Sequence, residues 1–188
     1  MIKLYSVKEK QKKQAEQAAK GNSTTQSPAE LRTQKDMSGL ELPKNARLNF
    51  PQGSNHVMDF ELILVPDEGI YRDGTFLFSF QVPQSYPHDP PKVKCLTKVF
   101  HPNIDVEGNV CLNILREDWS PVLSISSVIY GLLFLLLDPN PDDPLNKSAS
   151  TMMQTDRVGF EQVVRGAVRR GMRIGGVYFP PAQGTKTV

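Results

Sequence analysis

"VMDFELILVPDEGIYRDGTFLFSFQV", residues 57 to 82, contains two runs with one rhythm. In the first, Met58, Phe60, Leu62 and Leu64 alternate with Asp59 and Glu61. In the second, Phe76, Phe78, Phe80 and Val82 alternate with Thr75, Leu77, Ser79 and Gln81. Successive strand side chains point to opposite faces, so period two with one apolar face describes a half-buried antiparallel sheet. "PDEGIYRDG" between the runs has the composition of a hairpin connection.

Outward from this pair, "ARLNF" reads as a short strand before it and "KVKCL" as a fourth strand after it. The fourth is entered through "YPHDPP", whose prolines forbid regular pairing just ahead of it. Upstream, "SPAELRTQKDMSGLEL" predicts a helix: Ser27 is a good N-cap, Pro28 suits the first helical position and Glu30 completes a capping box. Its apolar face, Leu31, Met37 and Leu40, is thin, which puts the helix at the edge of the body. From Thr97 to Leu123 the pattern dissolves, and a long irregular segment inside a domain is more often functional than accidental. "SISSVIYGLLFLLLD" then reads as a helix apolar almost all round, hence buried as the spine of the core. After the break at "PNPDDPLN", two more helices are expected in "KSASTMMQTD" and "GFEQVVRGAVRRGM". The fold class is α+β: a four-stranded antiparallel meander, an N-terminal helix, a buried central helix and C-terminal helices.

With 39% hydrophobic and 22% charged residues, the chain reads as soluble, and its longest apolar stretch, Val128 to Leu137, is too short for a membrane span. The start turns basic at once and does not resemble a signal peptide, so the two cysteines are expected to be reduced thiols in an intracellular compartment. A net charge of +2 does not suggest a nucleic-acid binder. The charge is uneven: residues 1–27 hold six lysines against two glutamates, +4, so the other 161 residues carry −2. Residues 1–26 therefore read as a flexible basic arm, 27–175 as the core domain and 176–188 as a disordered tail.

Cysteine chemistry turns on "HPNIDVEGNVCLNIL", residues 101–115. Cys95 lies on an alternating strand in register with Val93 and reads as packing; Cys111 sits among polar turns, near a turn at Glu107-Gly108-Asn109. On base rates a free cysteine is a small core hydrophobe. None of the three histidines, His56, His88 and His101, shows a specific spacing to Cys111. The charges beside it, Asp105, Glu107, Glu117 and Asp118, are offset only by Arg116, and acidic neighbours disfavour the thiolate. Two scattered cysteines without a CxxC or HxxxH pair do not make a zinc site. One role tolerates an unactivated thiol: holding an acyl group that arrives as a thioester. An amide such as Asn103 would then steady the oxyanion of amine attack, and a carboxylate would orient the amine.

"YPHDPPKVKC", "HPNIDVEGNVCLNILREDWSPVLSI" and "LLLDPNPDDPLN" together resemble the ubiquitin-conjugating enzyme family, over roughly residues 28–170. The resemblance implies the family's fold and a thioester between a modifier's C-terminal glycine and Cys111, passed on to a substrate lysine with a RING ligase and without cofactor or metal. It assigns Asn103 to oxyanion or loop-ordering work, His101 to holding that loop, and Asp143 to preparing the acceptor lysine. It places Pro87, Pro91, Trp119, Ser120 and Pro121 in the loops touched by ligase and activating enzyme. Asn113 stands where many ubiquitin carriers have aspartate, and His88 where many have phenylalanine. These departures, with "NILREDW" and the "MIKLYS" arm, resemble the neddylation branch, which serves cullins. There Met1, Ile2 and Leu4 would dock the activating enzyme, and an acetylated N-terminus would be read by a co-ligase. A ubiquitin carrier with an unusual arm, or a non-catalytic binding module, is the alternative.

Overall fold

The computed structural model describes residues 26–183. The two alternating runs pair as β2 (Asp59–Leu64) and β3 (Phe76–Gln81), antiparallel, with Phe60 opposite Phe80, Leu62 opposite Phe78 and Leu64 opposite Phe76. All six are buried, and the Phe60 and Phe80 rings stack with centroids 4.7 Å apart. Such same-face aromatic and aliphatic pairs are what fixes register in a sheet. β1 (Ala46–Asn49) and β4 (Lys92–Cys95) flank them in the order β1-β2-β3-β4, the expected meander.

Helix α1 (Pro28–Ser38) begins as its sequence predicts. The Ser27 hydroxyl accepts from the Glu30 N–H, and the Glu30 carboxylate accepts from the Ser27 N–H. The long helix α2 (Ile125–Leu137) supplies Ile125, Val128, Ile129, Leu132, Leu135 and Leu136 to the core that β2 and β3 face. It is not buried all round, as its composition suggested. Tyr130 and Phe134, one turn apart, leave the core side, and Phe134 is 62% exposed. Helices α3 (Lys147–Thr155) and α4 (Arg157–Arg170) follow as two separate elements, each started by an aspartate or asparagine cap, Asn146 and Asp156. No helix among the described residues is long and apolar enough to cross a membrane.

The tail expected to be disordered over 176–188 is ordered as far as residue 183. Strands β5 (Met172–Ile174) and β6 (Val177–Phe179) form a hairpin across Gly175-Gly176, both at positive φ, where glycine alone is unstrained. The segment beyond it is sewn down at Ala182, whose N–H donates to the Val168 carbonyl and whose carbonyl accepts from the Thr75 N–H. Phe179 is buried edge-on against Phe100, so the core domain extends past residue 175. Residues 184–188 and the arm up to residue 25 lie outside the described residues. Phe179→Ala should lower stability by about 3 kcal/mol, the usual cost of emptying a buried phenylalanine site. Urea unfolding followed by circular dichroism would register this as an earlier midpoint.

Candidate active site

The irregular stretch after β4 is held by a short set of hydrogen bonds. Asp105 Oδ1 accepts from the N–H groups of Glu107 and Asn109, closing the turn predicted there. Gly108 lies at φ 83° with its carbonyl accepting from the Cys95 N–H; a Cβ at this position would come within 2.1 Å of the Cys95 carbonyl oxygen. Only glycine lets the turn lie this close to β4. The chain then returns, and the Cys111 N–H donates to the Asn103 carbonyl at 2.8 Å, which brings the His-Pro-Asn segment and the cysteine side by side.

His101 is fully buried and stacks on the Tyr71 ring at 4.9 Å. Its Nδ1 accepts from the Asn103 N–H and its Nε2–H donates to the Leu135 carbonyl, which defines a neutral tautomer. Burial pushes its pKa down to about 4, against the partial opposition of the Leu135 carbonyl. Its place is structural: it joins the loop to the end of α2.

Asn103, 2% exposed, reaches the other way. Its Nδ2 donates to the carbonyls of Asn140 (2.7 Å) and Asp143 (3.1 Å), and its Oδ1 accepts from the Asn140 N–H. The Pro102 carbonyl accepts from both Leu145 and Asn146 N–H, and Ser150 Oγ–H donates to the Pro141 carbonyl. The loop "PNPDDPLN" is thereby fixed against the His-Pro-Asn segment. As placed, both amide hydrogens of Asn103 serve the loop, so its role in this arrangement is to position; oxyanion donation would require one of them to be released.

That loop sets Asp143 over the sulfur. The Cys111 thiol donates to Asp143 Oδ2 at 2.8 Å, and Arg116 Nη1 lies 3.8 Å from the same oxygen. Both cysteines are equally buried, 5% exposed, but Cys95 belongs to the hydrophobic core cluster and Cys111 does not. Burial, the hydrogen bond to Asp143 and the charges of Asp143 and Glu117 raise the Cys111 pKa to about 11, while Arg116 pulls it down. Burial raises Cys95 to about 12. The resting site is a protonated thiol next to a carboxylate, suited to thioester exchange and unsuited to attack on an amide.

The ubiquitin-conjugating enzyme family profile matches residues 32–168, which contain the whole of this site. The chain belongs to the ubiquitin-conjugating enzyme family. It is 56% identical over 180 residues to the Nedd8-conjugating enzyme UbcE2M of Drosophila melanogaster, covering 95% of this chain and 97% of that protein. It is 52% identical over 182 residues to the NEDD8-conjugating enzyme Ubc12 of Arabidopsis thaliana, covering 96% and 98%. The solved structure of Saccharomyces cerevisiae Ubc12 superposes with a TM-score of 0.80 at 41% identity, covering 98% of this chain and all of that one.

In this conjugating enzyme the expected contact loops lie beside α1. Trp119 Nε1–H donates to the Pro87 carbonyl, joining the loop of Pro87 to that of Trp119, Ser120 and Pro121. Pro121 is exposed, Pro87 half-buried and Pro91 buried. Sequence reasoning missed Val122, 86% exposed beside Pro121, and the network that holds both loops. Arg32 donates to the Pro121 and Leu123 carbonyls and pairs with Asp36, which in turn accepts from the Tyr86 hydroxyl and the Ile125 N–H. The i, i+4 spacing of Arg32 and Asp36 was the only local signal for it. Asn113 is exposed and opens a single 3-10 turn (Asn113–Leu115), where its carbonyl accepts from Arg116 and Asp118 N–H. Met1, Ile2 and Leu4 lie outside the described residues.

Iodoacetamide should alkylate Cys111 slowly near neutral pH and faster as pH rises toward 11, with Cys95, packed in the core cluster with a pKa pushed up to about 12, slower still. Asp143→Ala removes the hydrogen bond and the negative charge that help raise the pKa, so alkylation at pH 8 should accelerate, by less than the roughly tenfold gain in thiolate per unit the pKa falls because nucleophilicity falls with it. Mass-spectrometric rates would read both. His101 gives a second pH dependence. Its pKa falls from an ordinary 6.5 to about 4 on folding, so the unfolded chain binds the proton first. The stability it contributes is complete above pH 6.5 and drains away as pH falls toward 4, by about 3 kcal/mol in all. In His101→Gln, urea midpoints between pH 7 and 4 should fall less steeply than in the parent.

Proposed function

We propose that the protein is a NEDD8-conjugating enzyme that carries the modifier as a thioester on Cys111 and passes it to a substrate lysine. The observation that carries this reading is the Cys111–Asp143 pair, a proton-retaining thiol under a carboxylate, in a chain about half identical to NEDD8-conjugating enzymes along nearly its whole length. The modifier would arrive already activated, so the thiol need only exchange with another thioester. The chemistry left to the protein is amine attack, for which Asp143 orients the ammonium of the acceptor and takes up its charge. Asn103 and His101 supply the fixed loop that brings Asp143 there.

The partners follow from the same reading. They are the modifier, its activating enzyme, a RING ligase seated on Pro87, Trp119, Ser120, Pro121 and Val122, and a cullin-type acceptor, all inside the cell. The arm, with Met1, Ile2 and Leu4 at its basic tip, is a docking peptide for the activating enzyme and a mark for a co-ligase when acetylated. A tethered second contact of this kind raises the effective concentration of the carrier without changing chemistry at the sulfur.

Incubation with NEDD8, its activating enzyme and ATP should give an adduct that a thiol reductant removes, whereas ubiquitin with its own activating enzyme should give little. Cys111→Ser should form an oxyester that survives reductant, and Cys95→Ser a reducible thioester. Residues 27–188 alone should charge with a raised KM. A reducible adduct on the Cys111→Ser protein would overturn the assignment of the carrier. Preferential charging with ubiquitin would make the protein a ubiquitin carrier with an unusual arm.

A further inference from the structure

We propose that Arg116 is a positioning residue that keeps the Asp143 carboxylate over the reacting sulfur once Cys111 has been acylated. The inference rests on the proposed function and concerns the step after charging.

Asp143 Oδ2 has two polar side-chain neighbours among the described residues, the Cys111 thiol at 2.8 Å and Arg116 Nη1 at 3.8 Å. The backbone of Asp143 is held through its carbonyl by Asn103, but its side chain is 61% exposed and can turn away. In the free protein the thiol hydrogen is the shorter tether. Acylation abolishes it, because a thioester sulfur has no proton to donate. The carboxylate is then left with one partner, the guanidinium, at the moment when its position matters most.

Arg116 is well placed for this. It follows the 3-10 turn directly downstream of Cys111, with its N–H on the Asn113 carbonyl and its carbonyl accepting from the Trp119 N–H. Asp143 belongs to the opposite loop, fixed by Asn103 and Pro102. The ion pair therefore spans the cysteine from one wall of the site to the other. It engages Oδ2, which leaves Oδ1 to face an incoming lysine ammonium. In the transfer, the amine nitrogen bonds to the thioester carbonyl carbon and the carbon–sulfur bond breaks. Of the two protons the ammonium gives up, one ends on the Cys111 sulfur and the other, received by Asp143, passes to solvent. Arg116 touches none of the reacting atoms. At 3.8 Å the contact is an ion pair on Oδ2 alone, and the planar guanidinium matches a carboxylate better than a lysine ammonium would.

The pair is partly exposed, so its effect should have the size of a surface ion pair. The test is single-turnover discharge of preformed NEDD8 thioester to free lysine, in a cycle of Arg116→Ala, Asp143→Asn and the double variant. Arg116→Ala should slow discharge about two- to fivefold, and Arg116→Lys should restore part of the loss. On the Asp143→Asn protein, Arg116→Ala should add no further loss, since the charge it holds is gone. If Arg116→Ala slows both backgrounds equally, the arginine acts elsewhere, for example on the modifier's tail, and the inference is overturned. An unchanged rate in the Arg116→Ala single variant overturns it as well. Failure of the parent protein to form any thioester would instead remove the proposed function, and this inference with it.

Discussion

Two hydrogen atoms on the Asn103 amide carry much of the active-site geometry. They fix the carbonyls of Asn140 and Asp143, and the amide oxygen fixes the Asn140 N–H, so a loop some forty residues downstream in the chain becomes one wall of the cysteine site. Everything that places Asn103 therefore also places Asp143. That includes the neutral imidazole of His101 on its main-chain N–H, the Tyr71 ring beneath that imidazole, and the Leu135 carbonyl that selects the tautomer. Buried polar groups of this kind are stable only when each has its partner, and here each does.

The legible parts of the chain were those with a period or a local grammar. The alternation over residues 57–82 placed β2 and β3 and named their buried residues, and Ser27-Pro28 with Glu30 marked the start of α1. Where several readings share one composition, sequence failed. Every residue of the α2 stretch Leu132 to Leu137 is apolar, so nothing in it shows that Phe134 turns outward while Leu135 and Leu136 turn in. The hairpin at 172–179 had a signal, a Gly-Gly pair between Met172-Arg173-Ile174 and Val177-Tyr178-Phe179, but strands of three residues are too short to show a period.

The candidate site divided the same way. Cys111 could be told from Cys95 because one lies among turns and the other on an alternating strand. A place for Asp143 in the site followed only from resemblance, and its hydrogen bond with Cys111 not at all, since a contact across 32 residues leaves no local mark. The occupation of both Asn103 hydrogens was invisible for that reason, as was the Arg32–Asp36–Tyr86 network that binds two loops to α1. That Pro91 is buried and Pro121 exposed is a matter of packing that two prolines in similar loops do not reveal.

The proton-retaining character of Cys111 bears on the lifetime of whatever it carries. A sulfur that holds its proton up to about pH 11 is a reluctant leaving group, so an acyl chain on it should resist water better than one on an acidified cysteine. Part of that reluctance comes from the negative charge of Asp143 close by, which opposes a second negative charge growing on the departing sulfur. An acceptor ammonium docking on Asp143 cancels that charge. The same carboxylate would thus preserve the cargo while no acceptor is present and ease its departure when one arrives, making storage and release two states of one electrostatic contact.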